Sequence, residues 1–222
     1  MIRQVLLDLD GTLTDSGLGI ARCIVHALER LGRPAPDPAE LRHWLGPPLA
    51  DSFRAFLGAE HGHLVAPAIA AYRERFSAVG MFENQVYPGV PELLAELRAR
   101  GCELRVVTSK PTVFSERILR HFDLAHHFAG IHGSELDGSH GEKAALIARV
   151  LESERIAPHE AVMVGDRSHD IVGARKNGVP TIGVLWGYGS RDELQTAGAG
   201  AIVAAPGELI AALESLAGGV FG

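Results

Sequence analysis

Three short segments of this chain carry side chains that could act together in catalysis. Asp8 and Asp10 follow one apolar run, the segment Thr108-Ser109-Lys110 follows a second, and Asp166 and Asp170 follow a third. Alternate residues of an extended segment face the same way, so Asp8 and Asp10 bring two carboxylates together. Such a pair repels unless a cation or a shared proton separates it. Asp166 would complete an oxygen-ligand set of the kind that Mg²⁺ takes together with a substrate phosphate.

Lysine is rare in the chain and is therefore informative. Only Lys110, Lys143 and Lys176 contribute lysines to the 21 basic residues, and all the others are arginine. A compact ammonium suits a point contact with phosphate, whereas a guanidinium imposes a fork. Lys143 begins a predicted helix and Lys110 lies beside Thr108, so both are candidates for phosphate binding. Lys176 lies inside a predicted helix and is expected on the surface.

Each of these features also has a purely structural interpretation. Two aspartates after a strand can form a turn or cap a helix, hydroxyls such as Thr108 and Ser109 often cap helices, and Lys143 can simply start one. His169, inside the acidic segment, is a further candidate. The sequence contains no HExxH, GxSxG or Walker motif, and its Gly-x-Gly segments at 17–19 and 187–189 lack the third glycine of a dinucleotide fingerprint.

The elements that must position these residues alternate between strands and helices. Strands are predicted at 5–9, 104–107, around 131, and at 161–164, 181–184 and 201–203. Helices are predicted at 91–100, 112–122, 143–151, 171–177 and 208–216. This alternation predicts an α/β fold with a doubly wound parallel sheet covered on both faces. Ligands bind beyond the carboxyl ends of such strands, where the candidate residues lie.

The stretch from 15 to 83 is expected to be entirely helical. Its predicted helices are 18–31, 37–45, 49–57 and 66–79. The second is predicted to begin at Asp37-Pro38-Ala39-Glu40 and to run toward Leu45. With 222 residues the chain suits one full domain and a smaller insert. The predicted organisation is therefore a core domain at 1–14 and 84–222 with an all-helical domain at 15–83.

Composition excludes several classes of partner. The formal net charge of −6 argues against a nucleic-acid polymer. No apolar run approaches the roughly 18 residues that would indicate a membrane span. Cys23 and Cys102 show no metal-ligand spacing and are expected to be buried thiols in a reducing compartment, which predicts a cytoplasmic protein.

Taken together, four motifs resemble those of the haloacid dehalogenase-like hydrolases. They are VLLDLDGT, RVVTSKP, Lys143 in HGEK, and VMVGDRSHD. The further segments LGPPL, TSKPTVF and GVLWGYGS resemble the branch named for phosphoglycolate phosphatase and bacterial 5′-nucleotidases. The resemblance implies a Rossmann-like core, a helical cap domain, and a Mg²⁺-dependent phosphatase that hydrolyses small phosphomonoesters. Lys143 stands in GEKAAL rather than before proline, which favours the nucleotidase-like subgroup.

The resemblance also implies a role for each site residue. Asp8 would attack phosphorus and form an aspartyl-phosphate, and Asp10 would act as general acid and then general base. The implied metal ligands are Asp8, the backbone carbonyl of Asp10, Asp166 and Asp170. Thr108 and Lys143 are also implied to be catalytic, because they would bind the transferring phosphoryl group. The implied phosphate-binding residues are Gly11, Thr12, Thr108, Ser109, Lys110 and Lys143.

Two other functions remain open: a phosphomutase, and a catalytically silent relative that acts as a binding or regulatory module. Asp10 disfavours a dehalogenase because halide leaves without a proton, and 15–83 lacks the lysine that a phosphonatase would need. The expected partner is a small phosphate ester, with no nucleic acid or membrane, for a monomer or weak homodimer. Candidate residues for substrate choice lie in the helical domain: Arg42, the turn at 46–48, Phe53, Arg73 and, for stacking, Trp44.

Overall fold

A computed structural model of the chain describes residues 2–36, 41, 49–216 and 218. The chain divides into two compact units, Met1–Thr14 with Val86–Gly222, and Asp15–Gln85. The sequence-based boundaries were 14/15 and 83/84. That the second unit serves as a cap stays a prediction.

A parallel sheet organises the first unit. The strands of the described chain are β1 Gln4–Leu7, β2 Thr14–Asp15, β3 Gln85–Val86, β4 Glu103–Pro111, β5 Gly130–Ser134, β6 Ala161–Gly165, β7 Thr181–Val184 and β8 Ala201–Val203. Six of them form one sheet in the order β5-β4-β1-β6-β7-β8, and every neighbouring pair is parallel. The predicted α/β fold class is confirmed. β2 and β3 pair separately as a short ribbon.

Helices follow the strands in the same unit and make up most of the second. The α-helices of the described chain are α1 Gly17–Arg30, α2 Leu49–Leu57, α3 Val65–Ala78, α4 Val90–Ala99, α5 Thr112–His121, α6 Lys143–Ser153, α7 Ser168–Lys176, α8 Arg191–Ala197 and α9 Leu209–Leu216. Short 3₁₀ turns lie at Ala59–Leu64, Gly80–Phe82, Ala125–His127, Pro158–Glu160 and Pro206–Glu208. No helix of the described residues is long and apolar enough to cross a membrane.

The core of the first unit fixes the ends of its central strands. β1 is buried on both faces because its apolar run is continuous, as expected for a central parallel strand. Leu6 of β1 and Met163 of β6 pack with Leu146 and Ile147 of α6 in one fully buried cluster. The residues that follow β1 and β6 and the start of α6 are therefore held by a shared core.

The helical unit has its own core. α1 buries Cys23 and Ile24 along one face, and Phe53 of α2 packs edge-on against Tyr72 of α3 with ring centroids 6.5 Å apart. Phe53 is 0% exposed, so the expectation that it faces a substrate is wrong: it belongs to the apolar core. Both cysteines are buried and neither forms a disulfide, so they are buried thiols as predicted. Apart from residue 41, the predicted helix at 37–45 lies outside the described residues, as do Arg42, Trp44 and the 46–48 turn.

Candidate functional site

The candidate residues lie at the carboxyl ends of the parallel strands. Asp8 directly follows β1, and Asp10 lies in the tight turn behind it, in which the backbone N–H of Gly11 donates to the carbonyl of Thr14 at 2.8 Å. Asp166 directly follows β6, and Asp170 is in the first turn of α7. These loops therefore meet at one edge of the sheet.

Asp8, Asp166 and Asp170 form a buried acidic cluster. One carboxylate oxygen from each lies within 4.8 Å of the others, and all three residues are buried. Oxygen donors at this spacing fit the ligand set of a hard divalent cation such as Mg²⁺. The predicted ligands Asp8, Asp166 and Asp170 are thus brought together by the fold.

Lys143 is the positive charge inside this cluster. Its Nζ lies 3.0 Å from Asp8 Oδ1 and 2.7 Å from Asp170 Oδ1, and it donates to the carbonyl of Val107 at 3.0 Å. Burial lowers the pKa of Lys143, but the charges of Asp170 and Asp8 more than offset this, and the pKa ends above its usual range. One ammonium faces three acidic groups, and this excess of acid over base favours a bound cation.

The pKa of Asp166 reflects first its burial and then the acidic groups around it. Burial raises the pKa of Asp166 well above its usual range, and the neighbouring charges of Asp170 and Asp8 raise it further. Its Oδ2 accepts a hydrogen bond from the backbone N–H of Tyr188 at 2.8 Å, and its Oδ1 accepts one from Thr12 Oγ1 at 3.4 Å. A divalent cation would relieve the repulsion from Asp170 and Asp8 that adds to the raised pKa of Asp166.

Asp10 stands beside a different lysine. Lys110 Nζ lies 2.8 Å from Asp10 Oδ2, and only 7% of the Lys110 side chain is exposed. Asp10 Oδ1 is buried and has no hydrogen-bond partner among the residues that the structure describes. Lys143 thus contacts Asp8 and Asp170, and Lys110 contacts Asp10, while phosphate binding by either lysine stays a prediction.

The two hydroxyls after the apolar part of β4 have local partners. Thr108 is buried, and its Oγ1 accepts the backbone N–H of Lys110 at 3.3 Å. Ser109 Oγ donates to the carbonyl of Gly141 at 2.8 Å and so ties β4 to the loop that leads into α6. His169, the remaining candidate, is exposed on α7. Phosphate binding by Thr108, Ser109 and Lys110 stays a prediction.

The segment after β7 belongs to the site and was not predicted to. Trp186 Nε1 donates to the carbonyl of Thr12 at 2.9 Å, and Tyr188 supplies the backbone N–H to Asp166. A Cβ at Gly187 would lie 2.2 Å from the Gly11 carbonyl oxygen, and one at Gly189 would lie 1.8 Å from that of Asp166. The Gly-x-Gly spacing therefore reflects close packing of the backbone. Its position after a strand that neighbours β6 is the sequence signal that could have indicated this.

A family model and the relatives of known name agree on the family of this chain. A family model described as haloacid dehalogenase-like hydrolase matches residues 5–184. The chain is 49% identical over 192 residues to a 5′-nucleotidase of Pseudomonas aeruginosa, with 86% of each chain covered. It is 31% identical over 216 residues to a phosphoglycolate phosphatase of Yersinia pseudotuberculosis, with 96% of this chain and 93% of that one covered.

The chain is also similar to a relative named as a kinase and to a solved phosphatase structure. The chain is 45% identical over 188 residues to the tyrosine-protein kinase PtkA of Mycobacterium tuberculosis, with 85% of this chain but 64% of that protein covered. The crystal structure of a predicted phosphatase from Clostridium acetobutylicum superposes with a TM-score of 0.92 at 44% identity, with 97% of this chain and 99% of that one covered.

Proposed function

Since the chain belongs to the haloacid dehalogenase-like hydrolase family, we propose that it is a Mg²⁺-dependent phosphatase of small phosphomonoesters, of the 5′-nucleotide or phosphoglycolate type. The predictions of this family and of a phosphoric monoester hydrolase are confirmed by the relatives. The observation that supports the proposed Mg²⁺ dependence is the buried cluster of Asp8, Asp166 and Asp170, in which the Lys143 ammonium contacts Asp8 and Asp170.

The proposed reaction has two steps on Asp8. In the first, an Asp8 carboxylate oxygen bonds to phosphorus, the ester P–O bond breaks, and the leaving alkoxide takes a proton from Asp10. In the second, Asp10 takes a proton from water, the water oxygen bonds to phosphorus, and the bond to Asp8 breaks to release phosphate. Asp10 Oδ1 is buried and lacks a hydrogen-bond partner among the described residues, which supports the assignment of Asp10 as the group that exchanges the proton.

The remaining residues of the site position and neutralise charge. Lys143 offsets the charge of Asp8, which lets a carboxylate approach an anionic ester. Thr108 and Lys143 would bind the phosphoryl oxygens, with Gly11, Thr12, Ser109 and Lys110 around them. Mg²⁺ held by Asp8, Asp166, Asp170 and the Asp10 carbonyl would neutralise the charge of the transferring phosphoryl group. A cytoplasmic location and a monomer or weak homodimer stay predictions.

A phosphate-release screen tests the proposal directly. Purified chain with Mg²⁺ is assayed on nucleoside 5′-monophosphates, phosphoglycolate and sugar phosphates, with the exposed Asp192→Asn variant as a control for Asp8→Asn. We expect Mg²⁺-dependent release from at least one class, retained in Asp192→Asn and lost in Asp8→Asn. Isomerised sugar phosphate without free phosphate would indicate the phosphomutase instead, and a folded chain without turnover would indicate the silent relative.

One observation favours a second candidate, phosphoryl transfer to protein tyrosine. It is the 45% identity over 188 residues to a relative named as a tyrosine-protein kinase, although the chain spans only 64% of that protein. Incubation with γ-labelled ATP and a tyrosine-containing protein separates the two candidates. Label on tyrosine would support the kinase, whereas label released only as free phosphate would support the hydrolase.

A further inference from the structure

The turn between the two aspartates of the acidic segment is held from outside by α8. Arg167, Ser168 and His169 lie between Asp166 and Asp170, and the Asp170 carboxylate accepts the backbone N–H of Arg167 at 3.2 Å. The conformation of this turn decides whether both carboxylates face Asp8. Whatever fixes Arg167 and Ser168 therefore acts on two of the three candidate metal ligands at once.

Glu193 of α8 makes those contacts. Its Oε1 accepts the backbone N–H of Ser168 at 2.8 Å and Arg167 Nε at 3.0 Å. Burial raises the pKa of Glu193, but these hydrogen bonds outweigh burial and the pKa ends below its usual range, so the carboxylate is charged at neutral pH. A charged acceptor on two donors of one turn restrains both its backbone and its side chain.

The contacts of Glu193 with Arg167 and Ser168 are not needed to cap α8, the helix to which Glu193 belongs. The first turn of α8 is capped by the Ser190 hydroxyl, which accepts the backbone N–H of Glu193 at 3.1 Å. That cap uses the backbone N–H of residue 193 and does not depend on the Glu193 carboxylate. The neighbouring Asp192 carries the same charge in the same turn of the helix but is exposed.

We propose that Glu193 is a positioning residue that sets the affinity of the acidic site for a divalent cation by restraining the turn between Asp166 and Asp170. The inference rests on the proposed function, because it assumes that these carboxylates hold Mg²⁺. Groups that orient metal ligands typically change metal affinity about 10- to 100-fold when removed. For a residue that acts through the turn, the lower end of that range is expected.

The test compares Glu193→Ala, Glu193→Gln and Asp192→Ala with the unaltered chain. Mg²⁺ affinity is measured without substrate, by calorimetric titration and by the rise in Tm with Mg²⁺ concentration. kcat and KM for the phosphate ester are measured at saturating Mg²⁺. We expect Glu193→Ala to weaken Mg²⁺ binding roughly tenfold, Glu193→Gln to recover most of it because its amide oxygen still accepts the Ser168 N–H, and Asp192→Ala to change it less than twofold.

The experiment distinguishes a failure of the Glu193 inference from a failure of the proposed Mg²⁺-dependent function. A lower Tm in Glu193→Ala with unchanged Mg²⁺ affinity would overturn the inference and leave Glu193 a structural residue. An equal loss in Asp192→Ala would also overturn it, because the effect would then be long-range charge. If the unaltered chain binds no Mg²⁺ or hydrolyses esters without it, the metal-dependent function itself fails.

Discussion

Two of the three lysines lie in the site, and they contact different acidic residues. Lys143 reaches Asp8 and Asp170, whereas Lys110 reaches Asp10. The sequence placed both lysines near the same edge of the sheet, but it could not say which acid each would face. That choice depends on how β4 and α6 approach the turn after β1, which is a tertiary property.

Lys143→Ala should damage both activity and stability. Removing an oriented charge next to the attacked phosphoryl group should reduce kcat by at least about 100-fold. Without divalent cation, Asp8 and Asp170 would lose their buried counter-ion, so the free energy of unfolding should fall by about 3 kcal/mol. Steady-state kinetics and urea unfolding in EDTA measure the two effects.

Lys176→Ala is the matched control for that prediction, since Lys176 is exposed on α7. It should leave kcat and stability close to those of the unaltered chain. Equal losses in the two variants would mean that Lys143 is not the phosphate-binding lysine.

Lys110→Ala separates two roles for the second lysine. If Lys110 mainly holds Asp10, as the 2.8 Å ion pair indicates, kcat should fall about tenfold or more with little change in KM. If Lys110 mainly binds the phosphate of the ground state, KM should rise and kcat should be kept. Measuring both constants on one phosphate ester distinguishes these results.

At the scale of elements, strands and long helices were predictable because their apolar residues repeat with a clear period. β1, β6 and β7 read as continuous apolar runs, and α6 presents Leu146, Ile147 and Val150 on one face. These elements place Asp8, Asp166 and Lys143, so the predicted residues meet.

The elements that were not predicted are short or depend on tertiary contacts. α8 has seven residues, of which Leu194 and Ala197 are buried, too few to show a period. The Ser190-x-x-Glu193 spacing was its one local signal. α7 begins at Ser168, three residues before the predicted start at 171, because its first turn is polar and carries Asp170. β2 and β3 have two residues each and gave no pattern.

In the helical unit, an ion cluster links α3 to the turn that follows it. Arg75 donates to both carboxylate oxygens of Glu83, at 2.6 and 3.0 Å, and Arg22 of α1 donates to Oε1 at 2.7 Å. The hydrogen bonds from Arg75, aided by those from Arg22, lower the pKa of Glu83 from its ordinary value of 4.5. The folded state therefore favours the charged carboxylate.

Glu83→Gln should destabilise the chain in a pH-dependent way. Because the pKa of Glu83 is lower in the folded state than in the unfolded state, its charge adds stability at pH values above the unfolded-state pKa. This stability is lost as the pH falls through the folded-state pKa. The difference in free energy of unfolding should be about 1 kcal/mol at pH 7 and should shrink below roughly pH 4.5. Urea unfolding across this range measures it. Glu74→Gln, in an exposed pair with Arg30, should have little effect at either pH, and a pH-independent loss in Glu83→Gln would contradict the account.

For the whole molecule, net charge is a poor guide to the ligand. The chain carries a formal charge of −6, yet the proposed substrate is an anion. Attraction to that substrate must come from local positive charge, which Lys143, Lys110 and a bound cation would supply against the buried acids. The division into two units likewise leaves the catalytic candidates Asp8, Asp10, Thr108 and Lys143 within the first.

Removal of divalent cation should therefore affect the whole molecule. EDTA should abolish turnover and Mg²⁺ should restore it. In a thermal or urea unfolding series, Mg²⁺ at about 100 times its Kd should add about 2.7 kcal/mol to the free energy of unfolding. Asp166→Asn should lose most of this increment. Full activity in EDTA would remove the role assigned to the acidic cluster.

The central claim is that Asp8 carries the phosphoryl group between the two steps. The direct measurement is mass spectrometry of the peptide that contains Asp8, after the enzyme is mixed with substrate and Mg²⁺ and quenched in acid within one turnover. We predict a phosphoryl group on Asp8 in the unaltered chain, absent from a folded Asp8→Asn variant that no longer turns over. A phosphoryl group on a different residue, or substantial turnover by folded Asp8→Asn, would contradict the account.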